Sequence, residues 1–178
     1  FKHDVGSNGI VEPLEGYKVY LFFGMGRGGT DYYALDVTDK DAPVFMWKIG
    51  PNESGLKQLP GAGQSWSTPA LARIQVSDGS SQNDMKLVLV MGGGYDTVQD
   101  SSNGAWVASD TAGNAIFMVD AVSGNRLWYA SNGVAGNLDL DDMDHSIPGD
   151  VRVIDLTGDG LADRMYAADL GGRVWRFD

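Results

Sequence analysis

The sequence predicts an all-β fold and, within that class, part of a β-propeller with about three blades. Three observations support this prediction. A compound motif occurs three times, glycine and aspartate interrupt every candidate helix within two turns, and 25 glycines among 178 residues supply many tight turns. A β-sandwich whose tryptophan positions coincide by chance is the alternative. We favour the propeller because three copies of a compound motif rarely arise by coincidence.

Each copy of the motif is a short apolar strand that ends in Asp, then a turn, then a strand that carries Trp. The Asp-terminated strands are Tyr32–Asp36, Ile116–Asp120 and Met165–Asp169, and the tryptophans are Trp47, Trp128 and Trp175. We expect each Asp to bind backbone N–H groups of its turn and each Trp to pack between neighbouring blades. An earlier strand precedes each copy, at Lys18–Phe23, Lys86–Val90 and Val151–Ile154.

A further strand type leads the second and third copies, at Trp66–Ile74 and His145–Val153, and is missing from the first. The whole chain, residues 1–178, is therefore interpreted as one partial propeller domain. Its blade units cover about residues 17–50, 64–131 and 145–178. Because propellers close with about four to eight blades, the ring is expected to be incomplete, and its open edges favour an edge-paired oligomer.

The nine residues Asp155–Asp163 have the spacing of a calcium-binding loop. Oxygen-bearing side chains fall at positions 1, 3, 5 and 9, and position 7 can offer a backbone carbonyl. The predicted ligands, in order, are Asp155, Thr157, Asp159, the Leu161 carbonyl and Asp163. Gly160 stands at position 6, where a calcium loop turns sharply. The closing Glu of an EF-hand is replaced by Tyr166, so Asp163 would close a shorter loop between two strands.

A hairpin turn rich in Asp and Gly, without a metal, is the alternative interpretation of this loop. A turn, however, needs only one or two such residues. Three carboxylates within nine residues repel one another unless a cation neutralises them, so we predict that the loop binds Ca²⁺. Magnesium is less suited to the site, because a flexible loop fits the larger ion.

Composition excludes several classes of function. A net charge of −11 argues against a nucleic-acid partner and against binding to anionic membrane surfaces. No stretch approaches the roughly 18 apolar residues of a membrane span, so no membrane insertion is expected. The absence of cysteine excludes disulfides, thiolate metal sites and cysteine nucleophiles. The segment Phe1–Asp4 is neither a start methionine nor a signal peptide, which suggests a piece of a longer protein.

Three other segments are interpreted as structural. The acidic run Asp139–Asp144 lacks a turn glycine and regular spacing, so a solvated loop is expected rather than a second cation site. The polar insertion at about residues 96–114, with Asp96, Asp100 and Asp110 in or beside it, is expected to be a surface loop. Gly24–Gly29 lacks the Lys-Ser/Thr of a phosphate-binding loop and precedes no helix, so a tight turn is expected.

The five tryptophans permit one further hypothesis, a sugar-binding platform. Three of them recur at equivalent positions of the repeat, and this favours packing in the core. Trp66 and Trp106 fall outside the repeat, and the repeat does not explain them.

Five segments together resemble a known family, although each alone would be a weak signal. They are Gly26–Asp39, Gly63–Pro69, Gly92–Asp96, Ala115–Asp120 and Met165–Asp178. In these segments the chain resembles the type IV pilus tip-associated adhesins and assembly factors of the PilY/PilC family, whose C-terminal domain is a β-propeller. The resemblance extends from about residue 24 to residue 178, which is nearly the whole chain.

The resemblance implies a modified propeller of the quinoprotein-like type, without enzymatic activity, in a protein exported through the periplasm to the bacterial cell surface, at the pilus tip or the outer membrane. It implies roles in pilus biogenesis, surface adhesion and twitching motility, with calcium as the regulator. The implied partners are major or minor pilins and a host or abiotic surface. Thr157 departs from the Asp or Asn usual at position 3, which predicts a dissociation constant of about 10⁻⁴–10⁻³ M.

Two other resemblances stay open. The repeated Ala-Leu-Asp…Trp pattern is similar to the blade motif of pyrroloquinoline-quinone-dependent dehydrogenases, but the chain is too short for their eight-bladed ring and carries no recognisable cofactor-stacking set. A generic integrin-like propeller with structural calcium is the second alternative. It predicts such a loop in several blades, whereas one loop is visible here.

Overall fold

A computed structural model describes residues 2–3, 18–76, 84–101, 107–133 and 138–178, and in these residues twelve strands form three sheets. The first sheet consists of β1 (Lys2–His3), β2 (Lys18–Gly24), β3 (Tyr32–Asp36) and β4 (Val44–Ile49). The second consists of β5 (Ala70–Val76), β6 (Asp84–Gly92), β7 (Ala115–Asp120), β8 (Arg126–Ser131) and β9 (Leu138–Asp139). The third consists of β10 (Arg152–Ile154), β11 (Arg164–Ala168) and β12 (Val174–Phe177).

The predicted all-β class is confirmed, and the described residues form no closed barrel. Helical structure in them is limited to α1 (Val98–Ser101) and two 3₁₀ turns, Gly26–Gly28 and Gly55–Lys57. Strands follow one another in chain order within each sheet and pair antiparallel, except that β8 and β9 run parallel. No helix in this part of the chain has the length and apolar character to cross a membrane.

The predicted role of the repeated Asp is confirmed in all three sheets. The carboxylate of Asp36 accepts the Thr38 N–H at 2.9 Å. The carboxylate of Asp120 accepts the Ser123 N–H at 2.7 Å, and that of Asp169 accepts the Arg173 N–H at 2.8 Å. A short side chain that caps its own turn lets each hairpin close without a longer loop.

The repeated Trp occupies the same register position in each sheet. In every case its strand partner is the residue two positions before the motif Asp. The pairs are Trp47 with Ala34, Trp128 with Met118 and Trp175 with Ala167. The three copies of the motif therefore correspond to one local structure formed three times.

The first hydrophobic core lies between the first two sheets. Trp47 is 4% exposed, stacks on Phe22 with ring centres 5.8 Å apart, and donates its indole N–H to the Ala121 carbonyl at 3.1 Å. Leu89 and Phe117 of the second sheet belong to the same core. Full burial of one such side chain stabilises the folded state by about 1.5–3 kcal/mol, so this core provides much of what joins the two sheets.

The second core lies between the second and third sheets, where the Trp128 and Phe177 rings meet edge to face at 5.5 Å. The third sheet turns its Trp-bearing face back towards the second sheet. That face carries Met165, Ala167, Trp175 and Phe177. Arginine alternates with these apolar residues along the strands, so burying the apolar set directs Arg152, Arg164 and Arg176 to the opposite face.

The leading strands are shorter than the sequence predicted, because β5 begins at Ala70 and β10 at Arg152. In the residues before β5, hydrogen bonds that involve side chains take the place of backbone hydrogen bonds between strands. Ser67 accepts the Gly92 N–H on its hydroxyl and the Tyr32 hydroxyl on its carbonyl, and the Thr68 N–H donates to Asp150. The blade limits drawn from the sequence stay a prediction.

Candidate metal site

The predicted calcium loop is the connection between β10 and β11. The Asp163 N–H donates to the Ile154 carbonyl at 2.9 Å and closes the base of the hairpin. The neighbouring Ala162 N–H donates to the Arg73 carbonyl of β5 at 2.8 Å. The loop is thereby attached to the second sheet as well as to the third, and a change in its order can affect the contact between the two sheets.

The carboxylate of Asp155, at position 1, points into the loop. Its two oxygens accept the N–H groups of Gly158 at 2.6 Å and Gly160 at 2.8 Å. Both glycines have positive φ angles, +76° and +86°, in the left-handed region that glycine adopts most easily. The glycine at position 6 was predicted, whereas the need for Gly158 was not.

The other two carboxylates also bind loop amides. Asp163, at position 9, accepts the N–H groups of Leu156 at 2.6 Å and Thr157 at 3.0 Å on one oxygen. Asp159 accepts the Leu161 N–H at 2.9 Å. The first and last residues of the loop thus hold its backbone in a tight curve, and their charges are concentrated on one exposed connection.

Hydrogen bonds keep the position-1 carboxylate ionised. The backbone N–H of Gly160, followed by that of Gly158, lowers the pKa of Asp155 below its usual value, because both donors favour the charged form. Asp155 therefore carries its full negative charge at neutral pH, which is the form that binds a cation.

The donor set fits a calcium ion. Calcium takes six to eight oxygen ligands at about 2.3–2.6 Å, and the loop supplies three carboxylates, a hydroxyl and a carbonyl with no softer donor among them. A carboxylate oxygen that accepts one N–H keeps a second lone pair for a cation. In the described residues, no group of three or more His, Cys, Asp or Glu side chains has the arrangement of a formed metal centre. The predicted ligand set therefore stays a prediction.

The acidic run Asp139–Asp144 binds neighbouring loops of the protein. Asp139 accepts the Gly133 N–H at 2.7 Å. Arg173 forms an ion pair with Asp144 and donates to the Asp142 carbonyl at 2.6 Å. These contacts attach the run to the last hairpin of the chain and agree with a structural role.

The long insertion differs from the expected surface loop, because two of its acids are buried. Asp96 is 5% exposed, and its carboxylate accepts the N–H groups of Val98, Thr111 and Ala112 together with the Thr111 hydroxyl. Burial alone would raise the pKa of Asp96, but these hydrogen bonds outweigh burial and lower it. Asp96 therefore anchors both ends of the insertion.

Asp110 is the second buried anchor. Its carboxylate accepts the Ser146 N–H at 2.6 Å, the Ser146 hydroxyl at 2.8 Å and the Gln99 amide at 2.7 Å. The buried ring of His145 lies 3.8 Å from Asp110 and packs against Gly171. Sequence reasoning missed these contacts because Asp110 and Ser146 are 36 residues apart. Trp106, which the repeat did not explain, lies outside the described residues.

Comparison with known proteins gives related sequences and a related structure, although no protein-family profile matches the chain. The chain is 33% identical over 175 residues, 97% of its length, to the type IV pilus biogenesis factor PilY1 of Pseudomonas aeruginosa. It is 30% identical over 172 residues, 91% of its length, to the PilY1 homolog of Xylella fastidiosa. It spans only 12% and 10% of these two relatives.

The structural comparison agrees with the sequence comparison. The crystal structure of the Pseudomonas aeruginosa PilY1 C-terminal domain superimposes with a TM-score of 0.61 and 26% sequence identity, over 91% of this chain and 27% of that one. The resemblance noted from the motifs is therefore confirmed over nearly the whole chain. The chain is homologous to the C-terminal region of PilY1 and belongs to the PilY1 family of type IV pilus biogenesis factors.

Proposed function

We propose that the chain is a calcium-binding, non-enzymatic segment of a type IV pilus biogenesis factor, displayed on the bacterial cell surface at the pilus tip or the outer membrane. The names of its relatives as biogenesis factors support the role in the pilus and the absence of catalysis. One observation supports the role of calcium above all. Three carboxylates, one of them with a lowered pKa, are concentrated on a loop that touches two sheets.

Calcium would act on this loop by neutralising its charge. With the ion bound, Asp155, Asp159 and Asp163 can approach one another without repulsion, and the hairpin between β10 and β11 becomes rigid. The hydrogen bond from Ala162 to Arg73 would then be held more firmly, which stabilises the contact between the second and third sheets. The surface around this loop, which pilins and a host or abiotic surface would contact, would therefore differ with and without the ion. Through this difference calcium would regulate adhesion and twitching motility.

We expect titration calorimetry to detect Ca²⁺ binding to the chain in the roughly 10⁻⁴–10⁻³ M range, with weaker binding of Mg²⁺. Asp159→Asn should weaken Ca²⁺ binding about tenfold or more, because one charged ligand becomes neutral. Asp41→Asn is the matched control, since it removes one charge from a side chain that is 79% exposed in the turn before β4. Equal calcium affinity in the two variants would contradict the calcium assignment.

The propeller is proposed as the arrangement of the sheets. The equal register of the three Trp pairs supports it, and so does the position of the second sheet, which packs on the first through one face and on the third through the other. The third sheet has a different orientation from the first two. The Trp-bearing faces of the first and second sheets each face the next sheet in chain order, whereas that of the third faces the sheet before it. A closed ring would need more blades than this chain supplies.

The edges of the sheets support an edge-paired assembly. Val44 and Phe45 of the outer strand β4 are 61% and 59% exposed, and Val174 of the outer strand β12 is 72% exposed. Strands with exposed apolar residues and unpaired backbone groups associate readily.

We expect light scattering to detect concentration-dependent association of the chain. Val174→Lys should reduce this association, because a lysine on an edge strand opposes strand pairing. The same substitution away from the edges, Val122→Lys, should leave it unchanged, because Val122 is 54% exposed in the turn between β7 and β8, which are not outer strands. A strictly monomeric chain at every concentration would be incompatible with edge pairing.

A further inference from the structure

An exposed aromatic pair lies where the ends of the first two sheets meet. The rings of Trp66 and Tyr95 have centres 5.1 Å apart and planes tilted by 31°. Trp66 is 44% exposed and belongs to neither hydrophobic core. Its apolar surface therefore contributes to neither of the cores that hold the sheets together, and it is available to a ligand.

The backbone fixes the position of both rings. Gln64 and Tyr95 exchange two backbone hydrogen bonds, at 2.8 and 3.0 Å. The indole N–H of Trp66 donates to the Gln64 side-chain carbonyl at 3.1 Å. Gly63 allows the close approach of the two segments, since a Cβ atom there would lie 2.4 Å from the Tyr95 carbonyl oxygen. A ligand that binds these rings would not have to order them first.

A charged pair borders the aromatic pair. Arg27 donates two hydrogen bonds to Asp100, at 3.0 and 3.1 Å, and its guanidinium lies 5.7 Å from the centre of the Trp66 ring. The Tyr95 hydroxyl donates to the same carboxylate at 2.9 Å. The hydrogen bond from Arg27, followed by that from Tyr95, lowers the pKa of Asp100, so the pair is ionised at neutral pH.

The cluster has the size and polarity of a small-ligand site. Gly26, Arg27 and Trp66 line an open cavity of about 340 Å³, near the lower end of the roughly 300–1,000 Å³ of ligand sites. Arg27 uses two of its five N–H groups on Asp100 and keeps three donors. The charges of Arg27 and Asp100 balance, so the site offers apolar surface and hydrogen bonds but no net charge.

We infer that Trp66 and Arg27, held in position by Tyr95 and Asp100, form a binding site for a neutral sugar ring. A pyranose has an apolar C–H face that can stack on the indole, and its hydroxyls both donate and accept hydrogen bonds as the charged pair requires. The balanced local charge and the net charge of −11 disfavour sialylated and phosphorylated sugars. A protein partner would need about 1,000 Å² of complementary surface, which greatly exceeds a cavity lined by three residues. Sugar binding at this site would be independent of the calcium loop.

Saturation-transfer NMR on the chain tests this site with four probes, the methyl glycosides of glucose, galactose, mannose and N-acetylglucosamine. At least one probe is expected to receive saturation at its ring C–H protons. Trp66→Ala should weaken its affinity about tenfold or more, because a stacking contact is lost, whereas Trp66→Phe should keep part of it. Arg27→Gln should also weaken binding by removing hydrogen-bond donors.

Phe45→Ala is the matched control, because it removes an aromatic side chain that is 59% exposed at a distant edge. Circular dichroism should give folded spectra for all variants, since neither Trp66 nor Phe45 lies in a core. The site is overturned if none of the four glycosides receives saturation, or if Trp66→Ala binds as well as Phe45→Ala. A preference for sialic acid or glucose 6-phosphate over the neutral glycosides would overturn the predicted ligand class.

Discussion

Replacing Trp47 with alanine is expected to lower the free energy of unfolding by about 3–5 kcal/mol, the usual cost of removing a large aromatic side chain from a core. Trp47 is 4% exposed and fills the space between the first two sheets. The substitution also leaves the Ala121 carbonyl without its indole donor. Gly124 lies against the indole, since a Cβ there would be 2.7 Å from the ring, so part of the wall of the resulting cavity would be backbone, which moves in to fill the space less easily than a side chain.

Urea unfolding followed by circular dichroism measures this loss. Trp66→Ala is the control, because it removes the same side chain from an exposed position and should cost less than about 1 kcal/mol. If Trp47→Ala does not fold, Trp47→Phe preserves the test, since a smaller cavity should give an intermediate loss. Equal midpoints for Trp47→Phe, Trp66→Ala and the unmodified chain would contradict a core that depends on Trp47.

Replacing Asp96 with asparagine is expected to destabilise the protein by about 3 kcal/mol at pH 7, because hydrogen bonds to a buried charged acceptor are lost. One carboxylate oxygen of Asp96 accepts the N–H groups of Thr111 and Ala112 and the Thr111 hydroxyl. The other accepts the Val98 N–H, so an amide NH₂ group would face a backbone donor in either orientation.

The effect of Asp96 should depend on pH in one direction. Its pKa is lower in the folded protein than in the unfolded chain, where Asp titrates near about 3.9. The stabilisation is therefore complete above the unfolded pKa and is lost as the pH falls through the folded pKa. The difference in unfolding free energy between the unmodified chain and Asp96→Asn should be largest at pH 6–7. It should stay roughly constant above about pH 5 and shrink as the solution becomes acidic. A difference that stays unchanged down to pH 3, or an equal loss in Asp41→Asn, would exclude this role.

The structure also relates the two proposed sites to different parts of the fold. The calcium loop joins the second and third sheets through Ala162 and Arg73, whereas the sugar site lies where the first two sheets meet, at Trp66 and Tyr95. Each site can therefore be removed by a substitution that leaves the other intact. Asp159→Asn should leave glycoside binding unchanged, and Trp66→Ala should leave calcium binding unchanged.

Much of the fold could be predicted from the sequence because the signals are local. The Asp that ends each repeated strand caps a turn within four residues of itself, as at Asp120 and Asp169. The carboxylates of the metal loop likewise bind amides within seven residues. Patterns with short partners of this kind are visible in a single sequence. The hydrogen bonds that Asp155 accepts from Gly158 and Gly160 span only three and five residues, so they belong to this group.

The roles of the acids in the insertion could not be predicted in this way. The residues around Asp96 and Asp110 have the composition of a solvated loop. Both acids are nevertheless buried, Asp96 against Thr111 and Asp110 against Ser146. An acid with distant partners looks the same in sequence as an acid without any. The position of Trp66 beside Tyr95 and Arg27 was hidden for the same reason, because 29 and 39 residues separate these positions from it.

The sequence by itself determined the all-β class, the three copies of the strand-turn-strand motif and the membership in the PilY1 family, because each depends on residues close together in the chain or on overall similarity. Only the tertiary structure decided which face of each sheet is buried. The third sheet turns Trp175 back towards the second, and the insertion is anchored by buried carboxylates. Burial is set by which surfaces come together in space, and a local pattern of residues does not contain that information.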